Sequence, residues 1–198
     1  MKKGEIILAT ISIISLGLNL LLIPGGGILT VLTLSTLSMV YFYFGFALFN
    51  DIRLRKIFKK DSYKDISSLR ILGAVGAGLA LSMTIIGLMF KFQSWPGADN
   101  NLIAGLLGLV IVTIIGVLKY MQNKSDYYTR ILKRVAIFGG LGLVIILTPK
   151  TSWIELKYRN YPDYVNAVKK SMADPDNKVL QDKADEERQK MYNKQDNQ

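Results

Sequence analysis

The sequence predicts an all-α integral membrane protein: a bundle of five transmembrane helices, built from two tandem helical hairpins plus one, with a polar helical C-terminal tail. Three observations carry this expectation. Half of the 198 residues are hydrophobic. The charged residues, 20% of the chain, crowd into loops and the C-terminal stretch and leave long apolar runs between them. Two of those runs turn back at Pro-Gly pairs, Pro24-Gly25 and Pro96-Gly97. Backbone amides in hydrocarbon must be satisfied within a helix or a closed barrel, so runs of this length read as helices.

A hydrocarbon core of about 30 Å takes about 17 to 25 helical residues. Ile6 to Ile23 is apolar apart from Asn19 and small hydroxyls, and Ile28 to Phe49, Ile71 to Phe90 and Leu102 to Leu118 carry no charge. Val135 to Thr148 is short. It reaches membrane length only from about Ile131, with Lys133 and Arg134 snorkelling to the headgroups and Trp153 at the other interface. The expected domains are 1–150, with hairpins about 5–50 and 70–121 and a fifth helix about 131–148, and a tail 151–198. Lys2-Lys3 before an apolar run also fits a signal peptide. The lack of an A-x-A-like site and the Pro24-Gly25-Gly26-Gly27 turn favour a retained span.

Lysine and arginine set the expected orientation. The N-terminus holds Lys2 and Lys3, loop 51–70 holds seven basic residues and loop 119–134 holds five, whereas the opposite short loops hold only Lys91. The N-terminus is thus expected in the cytoplasm and, with five spans, the tail outside; a fifth segment that only dips into the bilayer would leave the tail inside. In loop 51–70, Ile52, Leu54, Ile57 and Phe58 interleave with basic residues, which fits either a short interfacial helix or a solvated basic connector. The tail is close to neutral. Pro162 opens a helix with Tyr164, Val168 and Met172 on one side, Asp174-Pro175 reads as a second cap, and the stretch after it as an exposed or frayed helix. Such a tail serves either as a solubiliser or as a dock for a partner.

The hairpins resemble each other. Ser12, Gly17 and Leu18 match Ser82, Gly87 and Leu88 at one offset, and Pro24-Gly25 match Pro96-Gly97 two residues later, which points to a tandem duplication. Small residues mark expected helix contacts: Gly73 and Ala77 in one helix, Ala104 and Gly108 in the next.

The chain has no cysteine and no histidine. This excludes Ser-His-Asp and Cys-His nucleophilic sites and thiolate or imidazole zinc sites. No glycine-rich phosphate loop is present, and no cofactor is expected. The net charge of +10 fits cytoplasmic loops facing anionic lipid; no nucleic-acid partner is expected, since the aromatic residues do not interleave with the basic ones. The five apolar runs contain no Asp or Glu, which argues against a proton relay. Lys91, beside Trp95, reads either as half of an ion pair with a partner protein or as an interfacial anchor.

The stretch Gly87-Leu88-Met89-Phe90-Lys91-Phe92-Gln93-Ser94-Trp95-Pro96-Gly97-Ala98, followed by Leu102-Ile103-Ala104-Gly105, resembles the N-terminal membrane hairpin of the GldL-like proteins. The likeness covers about 20 residues well and the first hairpin weakly. It implies a bacterial inner-membrane location, a hairpin turning in the periplasm, and Lys91 in the place of that family's membrane lysine. The motor protein of gliding and type IX secretion carries an acid in its second helix and a long cytoplasmic region. Leu102 to Leu118 has no acid and the long region is absent, so the resemblance does not extend to the proton motor. The expected function is a non-enzymatic scaffold or accessory subunit of a membrane assembly. Its expected partners are the lipid bilayer, other membrane proteins or a second copy, and a periplasmic partner for the tail; the alternative is a small channel or transporter.

Overall fold

In the computed structural model, which describes residues 1–64 and 66–196, the chain is helical wherever it is regular. In chain order the helices are α1 Lys2–Leu20, α2 Gly26–Phe49, α3 Ser68–Gln93, α4 Ala98–Asn123, α5 Asp126–Leu147, α6 Lys150–Lys157, α7 Pro162–Ala173 and α8 Lys178–Asp196. Between α2 and α3 the chain forms two 3-10 turns, Leu54–Lys56 and Lys60–Tyr63. The described residues contain no strand. Residue 65 of the loop and residues 197 and 198 of the tail lie outside the described residues.

By length and composition α1, α2, α3 and α4 can each cross a bilayer, and α5 adds a fifth span when counted with α6 as one broken span. The chain divides into two compact units, one of Met1–Asn19 with Ile23–Leu147, the other of Leu20–Leu22 with the residues from Thr148 onward.

Local chemistry sets the helix ends in the first unit. The turn between α1 and α2 has Leu22 at φ 55° and Gly25 at φ 81°, with the Ile23 amide donating to the Leu18 carbonyl at 3.0 Å. The left-handed region suits glycine, which has no Cβ to clash. Gly97 repeats the arrangement before α4 at φ 76°, and the Trp95 amide donates to the Phe90 carbonyl at 2.9 Å to close α3. Ser67 caps α3 by accepting from the Arg70 amide.

The helices of this unit assemble around α3, where backbones approach at glycines. A Cβ added to Gly78 would lie 2.5 Å from the Tyr41 carbonyl oxygen of α2, and one on Gly45 would lie 3.0 Å from the Gly78 Cα. Toward α4, a Cβ on Gly87 would lie 2.6 Å from the Leu102 Cα, and one on Gly105 would lie 2.5 Å from the Thr84 amide nitrogen. Hydrogen bonds supplement this packing. Ser38 and Ser82 share one at 2.7 Å, and Gln93 Nε2 donates to the Gly27 carbonyl at 2.8 Å, joining the two hairpin turns. Leu37, Tyr41, Leu81 and Ile85 fill the core between them.

α1 is built the other way round from a helix of a water-soluble protein. Its buried residues are Glu5, Ser12, Ser15 and Asn19, all polar, whereas Ile6, Ile7, Ile13 and Ile14 are exposed. Ser15 and Thr33 share a hydrogen bond at 3.0 Å, and Thr30 donates to the Ser15 carbonyl at 2.9 Å. An apolar exterior over a polar seam is stable where the surrounding solvent is lipid.

In the second unit the stretch after Asp174-Pro175 forms one helix, α8, most of whose residues are exposed, and a small packed centre joins it to α7. Tyr158 meets Tyr164 edge-on at 4.9 Å, and Arg188 of α8 lies over the Tyr164 ring at 6.0 Å. Val165 and Ala167 of α7 and Ala184 and Met191 of α8 are buried. The cap of α8 is not Asp174-Pro175. The helix starts three residues later, where Asn177 accepts from the Leu180 amide and is held by Asp174.

The glycine contacts are testable by paired substitution. Gly105→Leu forces a branched side chain into the α3 backbone and is expected to cost about 1–3 kcal/mol or more. Gly76→Leu, on a face of α3 where an added Cβ meets nothing within 4 Å, leaves stability unchanged. Thermal unfolding of the two variants in the same detergent measures the difference.

Candidate functional site

Among the described residues of the first unit, the enclosed charged groups form two clusters; in the second unit Lys157 of α6 is also buried. The larger one joins α1, α2 and α5. Glu5, in the first turn of α1, is directed inward by the same helical face that carries Ser12, Ser15 and Asn19. Its Oε1 accepts from the Tyr41 hydroxyl of α2 at 2.5 Å and from Arg134 Nε of α5 at 2.5 Å. Its Oε2 accepts from Arg134 Nη2. The two-pronged geometry matches the planar guanidinium fork to both carboxylate oxygens. Arg134 Nη1 donates to the Arg130 carbonyl at 2.8 Å, and the guanidinium lies 5.6 Å from the Phe49 ring centre. Tyr41 is fixed by Phe138 at 5.7 Å and Phe49 at 6.3 Å. The Glu5 and Arg134 side chains are only 8% and 14% exposed, so little water competes with the pair.

A more exposed layer adjoins this clamp. Asp51, just beyond α2, pairs with Lys2 at 2.9 Å and with Arg130 at 3.1 Å. The hydrogen bond from the Lys2 ammonium holds the Asp51 carboxyl below its ordinary range. Nearby, the Tyr127 hydroxyl donates to the Arg70 carbonyl at 2.9 Å while the Arg70 guanidinium covers the Tyr127 ring at 4.4 Å, fastening α5 to the start of α3.

The second cluster lies across the α3–α4 turn. Lys91, 8% exposed at its side chain, pairs with Asp99 in the first turn of α4. An acid in that turn also meets the positive end of the helix dipole. Trp95 is half-exposed beside the turn and packs edge-on against Phe90 at 5.1 Å.

The residues expected from sequence are placed as follows. Pro24, Gly25, Pro96 and Gly97 lie in the two turns. Lys91 is engaged within its own chain by Asp99. Ala77 is fully buried on α3, and Gly108 faces Ala80. Gly73 and Ala104 lie exposed, and the tightest α3–α4 approaches are made at Gly87 and Gly105. The two turns share their left-handed glycine, but the packing around the matched positions differs. An added Cβ at Gly17 meets nothing within 4 Å, whereas one at Gly87 meets Leu102.

Two expectations need correction. The helices are longer than the apolar runs, so α1 contains Glu5 and α4 contains Asp99, and the helices are not free of acids. Arg134 does not snorkel outward; it turns inward to the Glu5 carboxylate. Glu5 escaped notice because it lies one residue before the uninterrupted run that starts at Ile6. The available signal was its place in register with Ser12, Ser15 and Asn19, a polar stripe at helical spacing along an otherwise apolar segment.

Chemically, this arrangement is a fastener. Both Glu5 oxygens are committed to donors from other helices. Among the described residues, no group of three or more His, Cys, Asp or Glu is placed to hold a metal ion.

The fold and these clusters define a helical membrane protein with several helices able to cross a bilayer. Comparison of the chain with family models, curated proteins and solved structures finds no match.

The clamp predicts a strong asymmetry between single and double substitutions. Glu5→Leu strands Arg134 and is expected to destabilise by about 3–5 kcal/mol. Glu5→Leu combined with Arg134→Met removes both charges and is expected to recover most of that loss. Thermal midpoints of the wild type, both single variants and the double variant in one detergent give the coupling.

Proposed function

We propose that this chain is a non-enzymatic scaffold or accessory subunit of a bacterial inner-membrane assembly. It crosses the bilayer five times, with its N-terminus in the cytoplasm and its tail in the periplasm. The observation that carries this reading is the use made of the enclosed charges of the first unit. Glu5, Arg134, Lys91 and Asp99 are each paired between helices or across a turn of the same chain. A transporter or proton motor needs an ionisable group that can gain and lose charge along its path, whereas a structural subunit needs its charges neutralised in place.

Three further features support the reading. The basic residues of the N-terminus and of loops 51–70 and 119–134 alternate with turns nearly free of them, as the positive-inside rule requires of a cytoplasmic N-terminus. The GldL-like string at 87–98 favours the bacterial inner membrane, and the only acid in α4, Asp99, is taken up by Lys91 rather than placed mid-helix as a proton carrier. The tail has its own packed aromatic centre and a cleft of about 260 Å³ lined by Tyr161, Pro162, Glu187, Lys190, Met191 and Lys194. An aromatic and a methionine framed by mixed charges form a surface suited to a polar peptide segment of a partner.

The test is purification of the tagged protein from its native membrane in a mild detergent, with mass spectrometry of what accompanies it. A stoichiometric membrane or periplasmic partner is expected, and Tyr161→Ala with Lys194→Glu in the tail cleft is expected to reduce its recovery at least about tenfold. A homogeneous preparation of this chain alone, with no companion in either sample, contradicts the proposal.

A further inference from the structure

The loop between α2 and α3 contains a feature that the scaffold reading does not use. Its backbone runs through successive three-residue turns: the Lys56 amide donates to the Arg53 carbonyl at 2.8 Å, the Lys59 amide to the Lys56 carbonyl at 3.1 Å, and the Ser62 amide to the Lys59 carbonyl at 3.0 Å. The two 3-10 turns, Leu54–Lys56 and Lys60–Tyr63, are separated by an extended Lys59, and this path brings Arg53, Lys56, Lys59 and Ser62 to one cleft. The cleft is open, holds about 560 Å³ and is also lined by Asn50 at the end of α2.

The charge in the cleft is unbalanced. Two carboxylates also line it, and both are already engaged: Asp51 by Lys2 and Arg130, and Asp61 by Lys64 at 2.7 Å. Among the described residues, no carboxylate pairs with Arg53, Lys56 or Lys59. A fork donor and two ammonium groups around a cleft of this size, with the Ser62 hydroxyl beside them, form a receptor for a phosphoryl group.

The surroundings of the cleft identify where that phosphoryl group comes from. Phe58 is 97% exposed and Leu54 is 53% exposed, both in the same short loop. The loop is tied to α2: Tyr63 stacks on Phe46 of α2 at 6.3 Å, and its hydroxyl donates to the Ile57 carbonyl at 2.6 Å. A fully exposed phenylalanine among seven basic residues, directly between two membrane-length helices, belongs at the headgroup boundary. We propose that the cleft lined by Arg53, Lys56, Lys59 and Ser62 is a binding site for the phosphate headgroup of an anionic phospholipid in the leaflet facing this loop, with Phe58 and Leu54 inserted among the acyl chains beside it. The site depends on the helices spanning a bilayer, and not on the orientation or the partner proposed above.

Native mass spectrometry of the full-length protein in mild detergent, titrated with dioleoyl phosphatidylglycerol, tests the site. Arg53→Gln with Lys56→Gln and Lys59→Gln is expected to weaken lipid binding at least about tenfold. Lys119→Gln with Lys124→Gln and Lys133→Gln, equal in charge removed but outside the cleft, is expected to change it less than about twofold. Phe58→Ser is expected to weaken it about threefold or more, since an inserted ring contributes apolar burial. Equal losses in the two triple variants would overturn the site in favour of diffuse charge attraction. Displacement of the lipid by millimolar inorganic phosphate would overturn the headgroup assignment in favour of a soluble phosphoryl ligand. Unchanged binding in the cleft variant or in Phe58→Ser would overturn the proposal as stated.

Discussion

The closeness with which α3 meets its neighbours governs the rest of the first unit. Lipid tails are as apolar as leucine, so helices in a bilayer gain little from hydrophobic burial against each other and depend on van der Waals contact and hydrogen bonds. Gly45 and Gly78 let α2 and α3 meet backbone to backbone, and Gly87 and Gly105 do the same for α3 and α4. Once those backbones are close, the short hydroxyls of Ser38 and Ser82 can reach each other, and Gln93 can reach the Gly27 carbonyl at the neighbouring turn. Larger residues at these four positions would separate the helices and leave the polar groups without partners.

Polar side chains then attach the peripheral helices. The fully buried residues of α1 are all polar, so its attachment combines the packing of Leu8, Ala9 and Leu16 with the bonds of Ser15 to Thr33 and Thr30 and of the Glu5 carboxylate to Tyr41 and Arg134. The same clamp holds α5, which is also fastened by the Tyr127 hydroxyl on the Arg70 carbonyl and by Arg130 on Asp51. Buried charge pairs contribute modestly to stability when intact and cost much when broken. Their value here is positional: one carboxylate fixes three helices at the same end of the bundle.

Much of this was legible in the sequence, because the features concerned are dictated by local chemistry. Apolar length marks α1 to α4, and Pro-Gly pairs mark the turns, where Gly25 and Gly97 adopt the left-handed conformation that glycine favours. What escaped reading depends on which residues meet across helices. Glu5 looked like a flank of the first run and Arg134 like an anchor of the fifth, and neither position shows from spacing alone that the two side chains converge from 129 residues apart. Lys91 and Asp99 were each visible, but their pairing needs the turn geometry at Gly97. Gly105 outranks Ala104 at the α4 contact because of helix rotation, which an apolar run without a polar face does not encode. The exposed helix of the tail follows from its polarity, whereas its packed centre rests on few residues, chiefly Tyr158, Tyr164 and Met191, too sparse to form an apolar stripe.

The central claim is that the enclosed charges of the first unit fasten helices and do not carry ions, and proton flux measures it most directly. The wild-type protein reconstituted into proteoliposomes with an internal pH indicator, under an imposed membrane potential, is predicted to leak no faster than protein-free vesicles. Proton entry above that baseline in the wild type, lost in Glu5→Gln, would show that the carboxylate titrates during transport and would contradict the account.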